Sequence, residues 1–92
     1  MEVIVYETKL NPVIVPSEID ALLFFSPSAV QSFFQANRIS TGITCFAIGA
    51  TTATAINEFD RDQKVLVAAQ PTQEAIFDLV KQHFQTYSFE SA

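Results

Sequence analysis

Cysteine occurs once in these 92 residues, glycine twice and tryptophan not at all, and lysine and arginine together number five. Each scarcity removes a class of explanation. Cys45, alone and inside an apolar run, can form no internal disulfide and leaves a Cys/His metal site of the usual kind without enough ligands. A reducing, cytoplasmic setting fits it. Five basic residues against ten acidic ones give a net charge of −5, and no basic cluster is present, which argues against nucleic acid as a partner. No apolar run approaches the roughly 20 residues that a membrane span requires. The N-terminal MEVIVYETK lacks the basic region and long apolar core of a signal peptide. Neither a P-loop nor a GxGxxG fingerprint is found. There is no Ser/His/Asp set, and no carboxylate pair arranged for acid–base work.

What the chain does have is apolar mass, 49% of its residues with nine phenylalanines among them, enough for one small domain with a real core. Residues 20–59 carry the organising device. A short apolar run stops at small hydroxyl or glycine residues, and a helix-like segment follows. ALLFF (21–25) stops at Ser26-Pro27-Ser28, and TCFAI (44–48) stops at Gly49-Ala50-Thr51-Thr52. A fainter copy, VLVAA (65–69), stops at Gln70-Pro71-Thr72. Three strand–turn–helix units in succession predict a parallel α/β sheet, with every helix start on the same sheet edge. That edge is where open α/β sheets bind ligands, anions especially, through backbone N–H groups.

In chain order, EVIVYET (2–8) is β-branched and aromatic and reads as a strand with no helix of its own behind it. Residues 9–17 are interrupted by Pro12 and Pro16, which leave only a short extended piece at 13–15. Ser26 is placed to cap a helix with Pro27 at its first position, Val30, Phe33 and Phe34 on its inner face and an end near Asn37. Gly49 is expected to allow a tight turn that a side chain would obstruct. Thr51 or Thr52 would cap a short helix carrying Ala55, Ile56 and Phe59 inward. Residues 60–63 form a polar turn before a strand at 64–69. Thr72 caps a last helix whose inner face is Ala75, Ile76, Leu79, Val80, His83, Phe84 and Tyr87, with 88–92 as a frayed tail.

Each candidate site residue has a structural alternative. The hydroxyls of Ser26 and Ser28 can bind a carboxylate or phosphate, or Ser26 can simply cap a helix. Gly49, Thr51 and Thr52 combine a glycine with two hydroxyls at a helix start, the combination close approach to an anion requires, but without the lysine of a phosphate loop. Tyr6 at a strand end can donate a hydrogen bond or proton, or pack half-buried. His83, mid-helix on an apolar face, and Asp20, at the opposite sheet edge, read as structural. Any catalysis would then run on backbone amides, hydroxyls and control of substrate conformation.

Four of these segments resemble, in order and at about the right spacing, the C-terminal part of the uroporphyrinogen-III synthases. They are Val5-Tyr6-Glu7-Thr8, the run from Phe24 through Ser26-Pro27-Ser28 to Val30, the run from Ala47 through Gly49-Ala50-Thr51-Thr52 to Ala53, and Pro71-Thr72. Ala50 departs mildly from the pattern, where proline is common after the glycine. The resemblance implies two flavodoxin-like domains joined by a two-stranded linker. Residues 1–17 would be the linker strand and connector. Residues 18–92 would be the C-terminal part of a partial three-layer α/β/α domain, a parallel sheet of three βα units. The chain would then be a truncated piece of a longer protein. The implied activity is dehydration and cyclisation of hydroxymethylbilane to uroporphyrinogen III, with inversion of the terminal pyrrole ring and without metal or cofactor. By that resemblance Tyr6 assists loss of the hydroxyl, Ser26 and Ser28 face the cleft, and Gly49, Thr51 and Thr52 line the second helix start.

A piece of such an enzyme is expected to be inactive alone. The rival class is a stand-alone flavodoxin-like module that recognises some other small anion at its helix starts. A coding sequence that continues upstream into another strand–turn–helix domain would favour the synthase. A sheet beginning at Ala21 would expose an apolar edge, which predicts self-association, most simply a dimer.

Overall fold

The computed structural model describes residues 2–8, 14–16, 18–40 and 42–91, of which 85–91 are described for backbone only. The elements run β1 (Val3–Tyr6), β2 (Ala21–Phe24), α1 (Pro27–Ala36), β3 (Thr44–Ala47), α2 (Ala50–Phe59), β4 (Val65–Val67) and α3 (Gln73–Ser91). The four strands form one parallel sheet in the order β1-β2-β3-β4. The fold is α/β, as the three strand–turn–helix units predict.

Burial along the strands follows from that order. Every residue of β2 is buried, as are Cys45, Phe46 and Ala47 of β3, because helices cover both faces of these central strands. Their sequences are accordingly continuous apolar runs rather than alternating ones. Successive residues still point to opposite faces and so divide the core into two clusters. On one face Ile4, Tyr6, Leu22, Phe24, Cys45 and Ala47 meet Val30 and Phe33 of α1 and Ala55 and Ile56 of α2. On the other, Val3, Ala21, Leu23, Phe46 and Leu66 meet Ile76 and Val80 of α3. The sheet is thus the middle layer of three.

Aromatic rings fix the first face. Phe33 meets Tyr6 at 5.3 Å, Phe24 at 5.4 Å and Phe34 at 5.0 Å, each edge to face. These are arrangements in which the ring quadrupoles attract. On the second face His83 stands edge-on to Phe46 at 5.7 Å, the structural position its helical spacing predicts.

β1 lies in the sheet beside β2, with Val3 opposite Ala21 and Tyr6 opposite Phe24. It therefore covers the β2 edge that the sequence reading left exposed. Two further bonds fasten its start: Glu2 N–H donates to Asp20 Oδ2 and Asp20 N–H donates to the Glu2 carbonyl, both at 2.8 Å. This is the structural work of Asp20. Among the described residues the outer strands of the sheet are β1 and β4. Exposed Glu2 and Glu7 flank β1, and two copies meeting there would set like charges together, a familiar guard against edge pairing.

Of the short extended piece at 13–15, Val13 lies outside the described residues. Ile14 is exposed, and Val15 N–H donates to Asn37 Oδ1 at 2.6 Å, pinning the connector to the end of α1. Asn37 closes that helix, as predicted, by donating its backbone N–H to the Phe33 carbonyl. Two expectations need correction. Phe59 does not face the sheet; it is 54% exposed and stacks on Phe34 at 4.6 Å, joining α2 to α1 at their outer ends. And the backbone of α3 continues in helix to Ser91 instead of fraying at 88; Ala92 lies outside the described residues.

Candidate functional site

Parallel strands deliver all their C-terminal ends to one edge. The register puts Tyr6 beside Phe24 and Phe24 beside Ala47, so the segments that follow start side by side. The ladder extends slightly past the strands, with Ile48 N–H donating to the Phe24 carbonyl at 3.1 Å and Ala68 N–H to the Ala47 carbonyl at 3.0 Å. Three helix N-termini stand on this edge.

The first is closed by its own side chain. Ser26 is extended (φ −161°, ψ 156°), and its Oγ accepts the Ala29 N–H at 3.1 Å, with Pro27 opening the helix. A hydroxyl here takes one of the backbone donors that a helix start leaves unpaired. The hydroxyls do not stop there. Thr8 Oγ1 donates to Ser28 Oγ at 3.0 Å, and Ser28 Oγ lies 3.2 Å from Ser26 Oγ. Three side chains from two segments make one hydroxyl row at the sheet edge. Thr8 was not among the site residues predicted from sequence. It stands two residues past Tyr6 as Ser26 stands two past Phe24, so its place becomes visible only once β1 is set parallel to β2.

The second N-terminus is built differently. Gly49 is the cap residue of α2, with no side-chain cap hydrogen bond. Its backbone is extended (φ −162°, ψ 177°), a conformation open to any residue, and a Cβ added there would meet nothing within 4 Å. The expected need for a tight, glycine-only turn is therefore not met; the left-handed glycine is Gly42, in the loop before β3. Nor do Thr51 or Thr52 cap the helix: α2 begins one residue earlier, at Ala50, and both threonines lie in its first turn. Thr51 is exposed at the edge, whereas Thr52 is 3% exposed and turned into the protein. The third N-terminus is capped as predicted, by Thr72 Oγ1 accepting the Ala75 N–H at 3.1 Å, with Glu74 in the first turn.

Tyr6 reaches this edge by its backbone, but its ring goes inward. It is 4% exposed, against Phe33 at 5.3 Å and Phe24 at 6.2 Å. The edge thus gathers Thr8, Ser26, Ser28, Gly49 and Thr51, while Tyr6 and Thr52 lie beneath it.

Among the described residues, which leave out Lys9, charge is distributed against a simple anion trap. Arg38, Arg61 and Lys64 follow the helices or precede β4, at the opposite end of the sheet, and Lys81 is midway along α3. Exposed Glu7 and Glu74 stand on the candidate edge. What favours an anion there is local: helix N–H groups, the positive end of the helix dipole, and hydroxyl donors. Such donors act at hydrogen-bond range.

A concavity of about 720 Å3 lies at the other end of the molecule, between the C-terminal ends of α1 and α2 beside Phe34, Arg38 and Phe59. A smaller one of about 350 Å3 runs along the start of α3 past Gln70, Glu74 and Asp78. Among the described residues no three His, Cys, Asp or Glu side chains come together as a metal site, and no helix is long and apolar enough to cross a membrane. Cys45, in the core under β3, has its thiol pushed up to about 12 by burial and, secondarily, by the negative charge of Asp60, which leaves it protonated and unreactive at neutral pH.

Neither a curated protein nor a solved structure matches the chain. A family model does, over residues 1–78, a span that takes in β1, the β2–α1 unit with the hydroxyl row, the β3–α2 unit, β4 and the first part of α3. With that match covering most of its length, the chain belongs to the uroporphyrinogen-III synthase HemD family.

Proposed function

We propose that this chain forms one wall of the cleft in which a uroporphyrinogen-III synthase dehydrates and cyclises hydroxymethylbilane, with inversion of the terminal pyrrole ring, and that the wall alone is inactive. The observation that carries this reading is the sheet edge itself. A row of three hydroxyls beside one helix start adjoins a second helix start without a side-chain cap. A linear tetrapyrrole bearing many carboxylates calls for a distributed set of such donors rather than one charged pocket.

The reaction removes a hydroxyl from the linear substrate as water and joins the chain ends after one ring is inverted. Loss of the hydroxyl needs a proton at the departing oxygen, and ring inversion needs the open chain held in a curved conformation. The row of Thr8, Ser28 and Ser26 binds a substrate carboxylate by turning hydroxyl protons from one another to the ligand, and Thr51 and the amides at the start of α2 supply a second anchoring point about one strand away. Two anchors on a rigid edge constrain the substrate's shape, which is where a site of this composition contributes most to rate. The burial of the Tyr6 ring between Phe24 and Phe33 supports a positioning role for that residue, beneath the edge, over direct proton delivery. On this reading residues 1–17 form the linker strand and connector, residues 18–92 form part of one domain, and the opposite wall comes from another domain. The protein works in the cytoplasm without metal or cofactor.

The test is an isomer assay. Hydroxymethylbilane is given to the purified chain and to the same chain expressed within its full reading frame, and type III product is measured above the type I product that forms spontaneously. The expected result is type III from the full reading frame only. Type III from the chain alone would overturn its inactivity, and type I alone from both would overturn the synthase assignment.

A further inference from the structure

We draw no further inference here: the strongest candidate, the open concavity of about 720 Å3 between the C-terminal ends of α1 and α2 beside the stacked Phe34 and Phe59 rings, carries nothing because nothing in the structure shows what covers it.

Discussion

The starts of α1 and α2 stand next to each other on one sheet edge and solve the same problem in opposite ways. Ser26 turns a hydroxyl back onto its own helix, and that hydroxyl belongs to a row reaching Ser28 and Thr8. Gly49 has no side chain to turn back, so the first amides of α2 keep their donors for something outside the helix. The foundations differ as well. α1 rests on a large aromatic contact through Phe33, while α2 rests on Ala55 and Ile56 and sends Phe59 outward. A well-anchored, self-capped helix beside a lightly built, uncapped one divides stability and ligand binding between two adjacent turns. The α1 turn holds the edge in shape, and the α2 turn offers the unpaired donors.

The largest break in this arrangement comes from beneath α1. Phe33 is 1% exposed and touches Tyr6, Phe24 and Phe34. Phe33→Ala is expected to destabilise the chain by about 3–5 kcal/mol, from lost burial, lost ring contacts and the cavity left behind. Ile56→Ala, under α2, falls in a range of about 2–5 kcal/mol and is expected at its lower end, since an aliphatic side chain has no ring–ring attraction to lose. Denaturant unfolding of the two variants measures the difference. A cost for Ile56→Ala that exceeds the cost for Phe33→Ala would reverse the ranking of the two foundations.

Cys45, on the strand that feeds the α2 turn, gives a pH-dependent version of the same test. Its folded-state pKa is raised from 9.0 to about 12, so the unfolded chain loses this proton first. The contribution to stability is complete below pH 9 and lost as pH rises from 9 towards 12. Over that window the slope approaches about 1.4 kcal/mol per pH unit. Urea midpoints between pH 8 and 11 are expected to fall more steeply for the parent chain than for Cys45→Ala. Equal slopes would show that the thiol ionises in the folded state as readily as in the unfolded one.

How much of this was legible in the sequence depends on how local each feature is. The cap at Ser26, the proline after it, the end of α1 at Asn37 and the cap at Thr72 are settled within a few residues by backbone donors and short polar side chains. Sequence reading placed all of these. The buried strands were legible because a strand covered on both faces must be apolar throughout. What failed was non-local or depended on a shift of one residue. Thr8 meets Ser28 only through the β1–β2 register, twenty positions apart in the chain, and no spacing rule reports such a pair. Starting α2 at Ala50 moves Thr51 and Thr52 from cap positions into the first turn, and helical periodicity then carries Thr52 inward. Phe59 shares helical spacing with Ala55 and Ile56, but a neighbouring ring at its own helix end satisfies it without reaching the sheet. Tyr6 reaches the edge in its backbone, and the alternation of β1 turns its ring to the aromatic face, the packing alternative that the sequence had left open.

Removing the α1 cap is a smaller perturbation and separates capping from the hydroxyl row. Ser26→Ala leaves the Ala29 N–H without its acceptor and is expected to cost about 1 kcal/mol, with a range of about 0.5–2. Thr8→Val keeps the shape of the side chain and removes only the bond to Ser28 at an exposed site, so its cost should stay below that. Thermal unfolding of both variants decides the order. If Thr8→Val costs as much as Ser26→Ala, the row braces the fold rather than standing ready for a ligand.

The smallest expected effect tests the α2 side most directly. Gly49 is already extended, and the space around its Cβ position is empty, so a serine there meets neither strain nor a clash. Its hydroxyl can reach the first-turn N–H groups as Ser26 does in α1. Serine at a cap exceeds glycine by only a few tenths of a kcal/mol, so Gly49→Ser is expected to raise stability by about that much. The same change takes a donor away from any anion at the edge. In the full reading frame Gly49→Ser should therefore slow type III formation although the protein is slightly more stable, an opposition that a packing role for the glycine would not produce. Unfolding midpoint and isomer assay measured on one preparation give both signs. A variant that is less stable, or one that is more stable with undiminished type III formation, would remove the α2 amides from the binding edge and leave the hydroxyl row of Thr8, Ser26 and Ser28 as its whole donor set.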